Sequence, residues 1–204
     1  MATTDASYLT YGNQGATRNL PLDPALISAM GFLGGMGVRM NVVSGGQSAA
    51  GEGGSRTGST RHDHGNAADV DYYIGDRRLD WNNPADLPIL AEIVTKARAN
   101  GVTGIGASDD YMGAGRMHIG FGNPAVWGAG GSSANAPDWL VAAYNAGAGV
   151  GPTQGATPGA TPGNSLTPGP SQQPMAQNAL APPVLQVKGN YLDPAMFRNS
   201  LRRA

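Results

Sequence analysis

No cysteine occurs in the 204-residue chain, which removes disulfides, thiolate metal ligands and a cysteine nucleophile together. Any metal must therefore be held by imidazoles and carboxylates. Charge is scarce as well: 13% of residues are charged, and 13 Lys and Arg stand against 14 Asp and Glu for a formal net charge of -1. Apart from Arg202-Arg203 there is no basic block, so nucleic acid is not an expected partner and an anionic membrane surface has nothing to attract it. No run approaches the roughly 18 apolar residues of a membrane span, and Met1–Asp5 lacks the basic and apolar regions of a secretory signal. Membrane insertion is not expected.

What is abundant is glycine and proline, with 32 and 15 residues, which suggests one modest domain beside a sizeable unstructured portion. Residues 1–19 show neither a helical nor a strand period and read as an arm. Leu22-Asp23-Pro24 is a helix start, with Asp as N-cap and Pro at the first helical position. Leu26, Ile27, Met30 and Leu33 then share a face until Gly34-Gly35. Val38, Met40 and Val42 alternate as a half-buried strand, and a glycine-rich loop over 44–60 follows. A second strand is expected over Ala67–Ile74, and a turn over Asp76–Asn83 with Trp81 as a packing anchor. A second helix runs from Pro84 to Asn100, where Leu87, Leu90, Ile93, Val94 and Ala97 keep a helical period. Val102–Gly106 and Met117–Phe121 are further strands, and Asp138–Gly147 a third helix. The expected fold is α+β, a small, mostly antiparallel sheet with covering helices over residues 20–147.

Residues 148–183 change character: Gly155-Ala156-Thr157-Pro158 recurs as Gly159-Ala160-Thr161-Pro162, and Pro and Gly without large apolar residues bury too little surface to offset ordering entropy. A disordered linker is expected there. Beyond it, residues 184–204 carry a short apolar run and a helix start at Asp193-Pro194, which suits a segment that docks on a protein partner.

Chemistry concentrates in Ser59–Asp71, which holds two of the three histidines and three carboxylates. His62 on a loop and Asp69 on a strand can converge on one cation, and zinc accepts both imidazole and carboxylate oxygen. A third ligand must come from farther along. His118, on the strand candidate Met117–Phe121, is the last histidine. Three protein ligands plus one open position make a hydrolytic centre, in which zinc lowers the pKa of water to about 7 and polarises a carbonyl. Arg56 and Arg61 on the adjoining loop have the planar fork that pairs with a peptide carboxylate.

The spacing His62-x-x-Gly65-x-Ala67-x-Asp69, followed about fifty residues later by a His-bearing strand, resembles the LAS zinc peptidases: D-alanyl-D-alanine carboxypeptidases, L-alanyl-D-glutamate endolysins and the hedgehog signalling domain. Val42–Gln47 resembles the strand and turn before that family's first ligand, and Gly104-Ile105-Gly106 the segment before its second His strand. The resemblance covers about residues 20–127. It implies His62, Asp69 and His118 as Zn²⁺ ligands, a peptidoglycan stem or cross-bridge peptide as substrate, and Gln47 beside Arg56 and Arg61 as substrate-binding residues. Family members carry a base near the third ligand, either an acidic residue three positions before it or the first histidine of a His-x-His pair; this chain has Gly115 at the former position, and were His118 the first histidine of such a pair, Gly120 would stand at the ligand position. Asp110, Asp109 and His64 are the remaining candidates for the base. A wall-directed enzyme without an export signal fits a bacteriophage protein, placed in the virion or in the host cytoplasm before lysis. The alternative is a peptidase-fold module that has lost hydrolysis and serves as a tail or capsid component. Ala143-Tyr144-Asn145-Ala146-Gly147 also resembles a lytic transglycosylase motif, but no catalytic glutamate stands upstream in a matching setting.

Overall fold

Alternation along the strands decides which face of the sheet is core. In a computed structural model, which describes residues 7–149, β1 (Leu9–Tyr11) opens the sheet, and α1 (Pro24–Ala29) and α2 (Phe32–Gly35) lead to β2 (Arg39–Ser44). A 3-10 turn at Thr60–His62 precedes β3 (Ala67–Ile74) and the short β4 (Arg77–Arg78). Then come α3 (Leu87–Ala99), β5 (Gly104–Gly106), α4 (Asp109–Met112), β6 (Arg116–Gly120), β7 (Ala125–Trp127) and α5 (Asp138–Ala148). The strand order is β1-β2-β3-β6-β5-β7, with β4 paired to β3. The β1–β2 and β5–β7 pairings are parallel and the others antiparallel, so the expected α+β fold with a mostly antiparallel sheet is what the chain adopts.

Met40 and Val42, Ala68, Val70 and Tyr72, Ile105, and Met117 and Ile119 all belong to one buried cluster. Because successive strand residues point to opposite faces, their neighbours Asp69 and Asp71, Gly104 and Gly106, and Arg116, His118 and Gly120 share the other face. The core face is closed by Leu26, Met30 and Leu33 from the first two helices, Leu90, Ile93, Val94 and Ala97 from α3, and Leu140, Ala143 and Tyr144 from α5. Polar ties fix α5: Thr95 donates to the Ala143 carbonyl at 3.0 Å, and the Tyr144 hydroxyl to the Thr103 carbonyl at 2.6 Å. Full burial of each large apolar side chain contributes about 1.5–3 kcal/mol.

Four local expectations are corrected. The first residues are not a loose arm, since Leu9–Tyr11 pair with Met40–Val42 and Tyr8 is buried, its hydroxyl donating to the Ile27 carbonyl. The first helix is two short ones, because the chain turns at Met30-Gly31 after Asp23 caps the first through Ala25 N at 2.7 Å. The loop Ser108–Gly115 contains α4, and β4 and β7 occupy stretches with no strand period. The linker expected over 148–183, apart from the residues that finish α5, and the segment 184–204 lie outside the described residues. Among those described, no helix is long and apolar enough to cross a membrane.

Candidate metal centre

The β3–β6 register sets Asp69 directly across from His118. His62 reaches the same point from the end of its 3-10 turn, which Ser59 caps by accepting from Arg61 N at 3.1 Å. One ligand atom from each of His62, Asp69 and His118 lies within 4.8 Å of the others. The resembling spacing has a physical content here. Gly65 has φ 79°, and a Cβ there would meet the Pro21 carbonyl oxygen at 2.5 Å. Ala67 faces Gly120 so closely that a Cβ on Gly120 would lie 2.5 Å from that of Ala67. Together these hold β3 tight against its neighbours and bring Asp69 to the histidines.

The donor set suits a cation. His62 Nδ1 lies 2.9 Å from the Gly45 carbonyl, which only accepts, so that nitrogen is the donor, and Nε2 faces Asp69 Oδ1 at 3.5 Å. Nε2 is thus the ring atom that His62 offers to a cation, beside a carboxylate oxygen. His118 Nδ1 lies 2.9 Å from the same Oδ1, while its Nε2 is buried with no hydrogen-bond partner. Burial pushes the His118 pKa down and outweighs the Asp69 carboxylate beside it. Burial also works to raise the Asp69 carboxyl, but the His118 and His62 rings against it hold it well below the usual carboxylate range. An ionised carboxylate beside a neutral imidazole is the protonation state that metal binding requires. The buried His62, Asp69 and His118 group can thus hold a metal ion.

A cavity of about 420 Å³ opens over the group. Its wall includes Arg18, Arg61, Tyr111 and Trp127. Arg18 NH1 approaches Asp69 Oδ2 at 3.5 Å, while its NH2 and Nε donate to the Thr57 carbonyl at 2.9 and 3.3 Å. Trp127 stands with its ring centre 5.1 Å from that of His118, and the Arg61 guanidinium lies over Trp127 at 4.9 Å. The floor under this stack is glycine: a Cβ on Gly106 would come 2.2 Å from Trp127 Nε1, and one on Gly104 2.5 Å from Arg61 NH1. Sequence reading missed Arg18, Tyr111 and Trp127. Arg18 is the sole basic residue before Arg39, and Gly104-x-Gly106 on a strand signals a large side chain lying flat on it. Tyr111 has no such signal.

The other sequence candidates are placed elsewhere. His64, at φ 57°, is exposed and its Nε2 stands 3.2 Å from Glu52 Oε1. Asp109 Oδ1 accepts from Trp81 Nε1 at 2.7 Å and both its oxygens from Asn82, and Asp110 is exposed in the first turn of α4. None of the three lines the cavity. Of the substrate-binding candidates only Arg61 does. Arg56 is paired to Asp63 at 3.0 Å, and the substrate role expected of Gln47 gives way to a structural one. Gln47 is buried, donates to the Ser59 carbonyl and Asp63 Oδ1, and accepts from Thr57 N, so its whole amide is spent on closing the loop. Both glycines are closed to a side chain: a Cβ on Gly115, at φ 76° and at the position of the missing base, would meet the Leu79 carbonyl oxygen at 2.1 Å, and Gly120, the alternative ligand position, is packed on Ala67. His118 itself, not position 120, joins the cluster. Set against known proteins, the chain matches no family model, no curated protein and no solved structure.

Proposed function

We propose that this chain is a zinc-dependent peptidase that hydrolyses an amide bond in peptidoglycan peptides. The observation that carries the reading is the convergence of two imidazoles and one carboxylate, with ligand atoms within 4.8 Å, at the wall of an open cavity. Zinc is the metal these ligand types suit with a position left open, and when bound it supplies a Lewis acid and ionises water near pH 7. The chain's own residues do the rest. Gly45 fixes the His62 tautomer, and Arg18 holds the outer oxygen of Asp69. The Arg18 and Arg61 guanidiniums place positive charge where a carbonyl oxygen turns anionic or a peptide carboxylate rests. Trp127 excludes water from one side of His118. Tyr111 stands edge-on to Trp127 in the wall, while Asp110, Asp109 and His64 are outside the lining and would reach the cavity only by movement of their loops.

Metal analysis paired with dye release from labelled peptidoglycan, on wild type and His118→Ala, tests this. About one zinc per chain with activity that the substitution abolishes is the expected result; no zinc, or activity indifferent to the substitution, removes the reading. A second reading, a metal-holding module without hydrolysis that serves as a tail or capsid component, is favoured by the closed positions at Gly115 and Gly120. Zinc without dye release selects it. Either way we place the protein in a phage particle, tethered through residues 184–204 to a virion protein. Deleting 150–204 should then leave dye release intact and abolish incorporation.

A further inference from the structure

A second cavity, about 560 Å³, adjoins the metal cavity, and Arg61 lines both. Its other lining residues are Thr60, Asn66, Phe121, Gly122 and Asn123. No carboxylate is among them. The set is one hydroxyl, two carboxamides, one aromatic ring and one guanidinium. Asn66 Nδ2 is used on the Asp63 carbonyl at 2.9 Å, which leaves its Oδ1 to accept, and Asn123 uses its backbone carbonyl, not its side chain, to receive Arg61. Arg61 itself is weakly engaged: its bonds to the Phe121 and Asn123 carbonyls are 3.5 and 3.3 Å, and no carboxylate of the described residues pairs with it. Its position is nonetheless built, since Trp127 supports its face and glycine at 104 makes room for it.

Uncharged donors and acceptors around a single ring suit a ligand with hydroxyl and acetamido groups and one apolar face. A guanidinium at the shared wall suits a carboxyl or carbonyl where that ligand continues into the metal cavity. We infer that the second cavity is a saccharide subsite, which takes an N-acetylated amino sugar while the peptide joined to that sugar crosses Arg61 toward His62, Asp69 and His118. The inference rests on the peptidoglycan reading and adds that the enzyme recognises the glycan as well as the peptide. The sugar ring packs on Phe121, its acetamido and hydroxyl groups meet Asn66, Asn123 and Thr60, and cleavage falls in peptides still attached to the glycan.

Calorimetric titration of the full chain with N-acetylmuramyl-L-alanyl-D-isoglutamine, with the same dipeptide lacking the sugar, and with free N-acetylmuramic acid tests it. The sugar-linked dipeptide should bind about tenfold tighter than the bare one, a gap of roughly 1.4 kcal/mol. Asn123→Ala, on an exposed loop, should remove most of that gap. Equal affinity of the two dipeptides for wild type, or a gap that survives both Asn123→Ala and Thr60→Ala, overturns the subsite. The two failures separate cleanly. Free N-acetylmuramic acid bound in an Asn123-dependent way, with neither dipeptide bound more tightly than it nor peptidoglycan hydrolysed, sinks the peptidase and keeps the sugar site; hydrolysis without any sugar preference does the reverse.

Discussion

Asp69 and Asp71 stand two residues apart on one face of β3, and each looks across at β6, the first at His118 and the second at Arg116. Their surroundings differ completely. Asp71 receives Arg116 Nε at 3.0 Å and NH2 at 2.9 Å, and Arg78 NH2 at 2.7 Å, so both oxygens are satisfied by full charges. Asp69 receives two imidazoles on one oxygen and a single arginine at 3.5 Å on the other. A carboxylate saturated by guanidinium is a fastener; one left to imidazoles, with a cavity in front, is poised for a cation. The same residue type, strand and face yield opposite roles, decided by what the neighbouring strand supplies.

Four experiments press on that difference. Asp69→Asn should keep the fold and weaken metal binding at least about 100-fold, beyond the 10- to 100-fold cost of losing an outer partner, as read by competition with a chelating dye. Asp71→Asn should do the opposite. Metal content stays at wild-type level, while stability drops by about 2 kcal/mol and the Tm by roughly 4–8 °C in a thermal scan. The loss falls short of a fully buried pair because the Arg116 and Arg78 side chains are 33% and 38% exposed. If Asp71→Asn loses metal instead, the two carboxylates are not functionally distinct. Arg18→Gln should weaken metal binding about tenfold, the low end for an outer partner, given the long contact. A variant with unchanged affinity would make Arg18 a loop tie through Thr57 only.

The smallest effect belongs to a third carboxylate. Asp86 is held below its ordinary range first by the Arg77 hydrogen bond, with burial opposing. A depressed folded pKa contributes stability that is present above the unfolded value, about 3.9, and is lost as pH falls through the folded one. Arg77→Gln should therefore move the onset of acid unfolding, followed by circular dichroism, to higher pH while metal binding is untouched. An unchanged acid limb would show that Asn83 and the Asp80 amide suffice for Asp86.

Much of this was legible in the residues. The helical period of Leu90, Ile93, Val94 and Ala97 marks α3, since a full stripe of apolar residues needs no distant partner to be recognised. The candidate trio also reads from residue type and spacing, because this cysteine-free chain has only three histidines and two of them fall in it. The edge strands were not legible. Leu9–Tyr11 and Ala125–Trp127 are three residues each, too short for a period, and exist because β2 and β5 present unpaired edges. Gln47 looked outward because a polar residue in a glycine-rich loop usually is; its burial follows from the strand-like bridge it makes with Asp63. Arg18 was hidden for a related reason, since what brings it to Asp69 is the pairing of β1 with a strand about thirty residues later.

That bridge at Gln47 has a consequence for how the protein can change. Gln47 N donates to the His62 carbonyl at 3.0 Å and His64 N to the Gln47 carbonyl at 2.9 Å, so the chain between Ser48 and Arg61 leaves and returns at one stitched point. Its ends are fixed by these backbone bonds and by the Gln47 amide, which holds Thr57 and Ser59. Doubling the length of such an excursion costs only about 0.6 kcal/mol in closure entropy. The stretch between Ser48 and Arg56 is therefore a socket for grafting: its length and side chains can be exchanged, with Arg56–Asp63 the contact to replace, while Thr57–Arg61 and the Ser59-capped turn keep His62 in place.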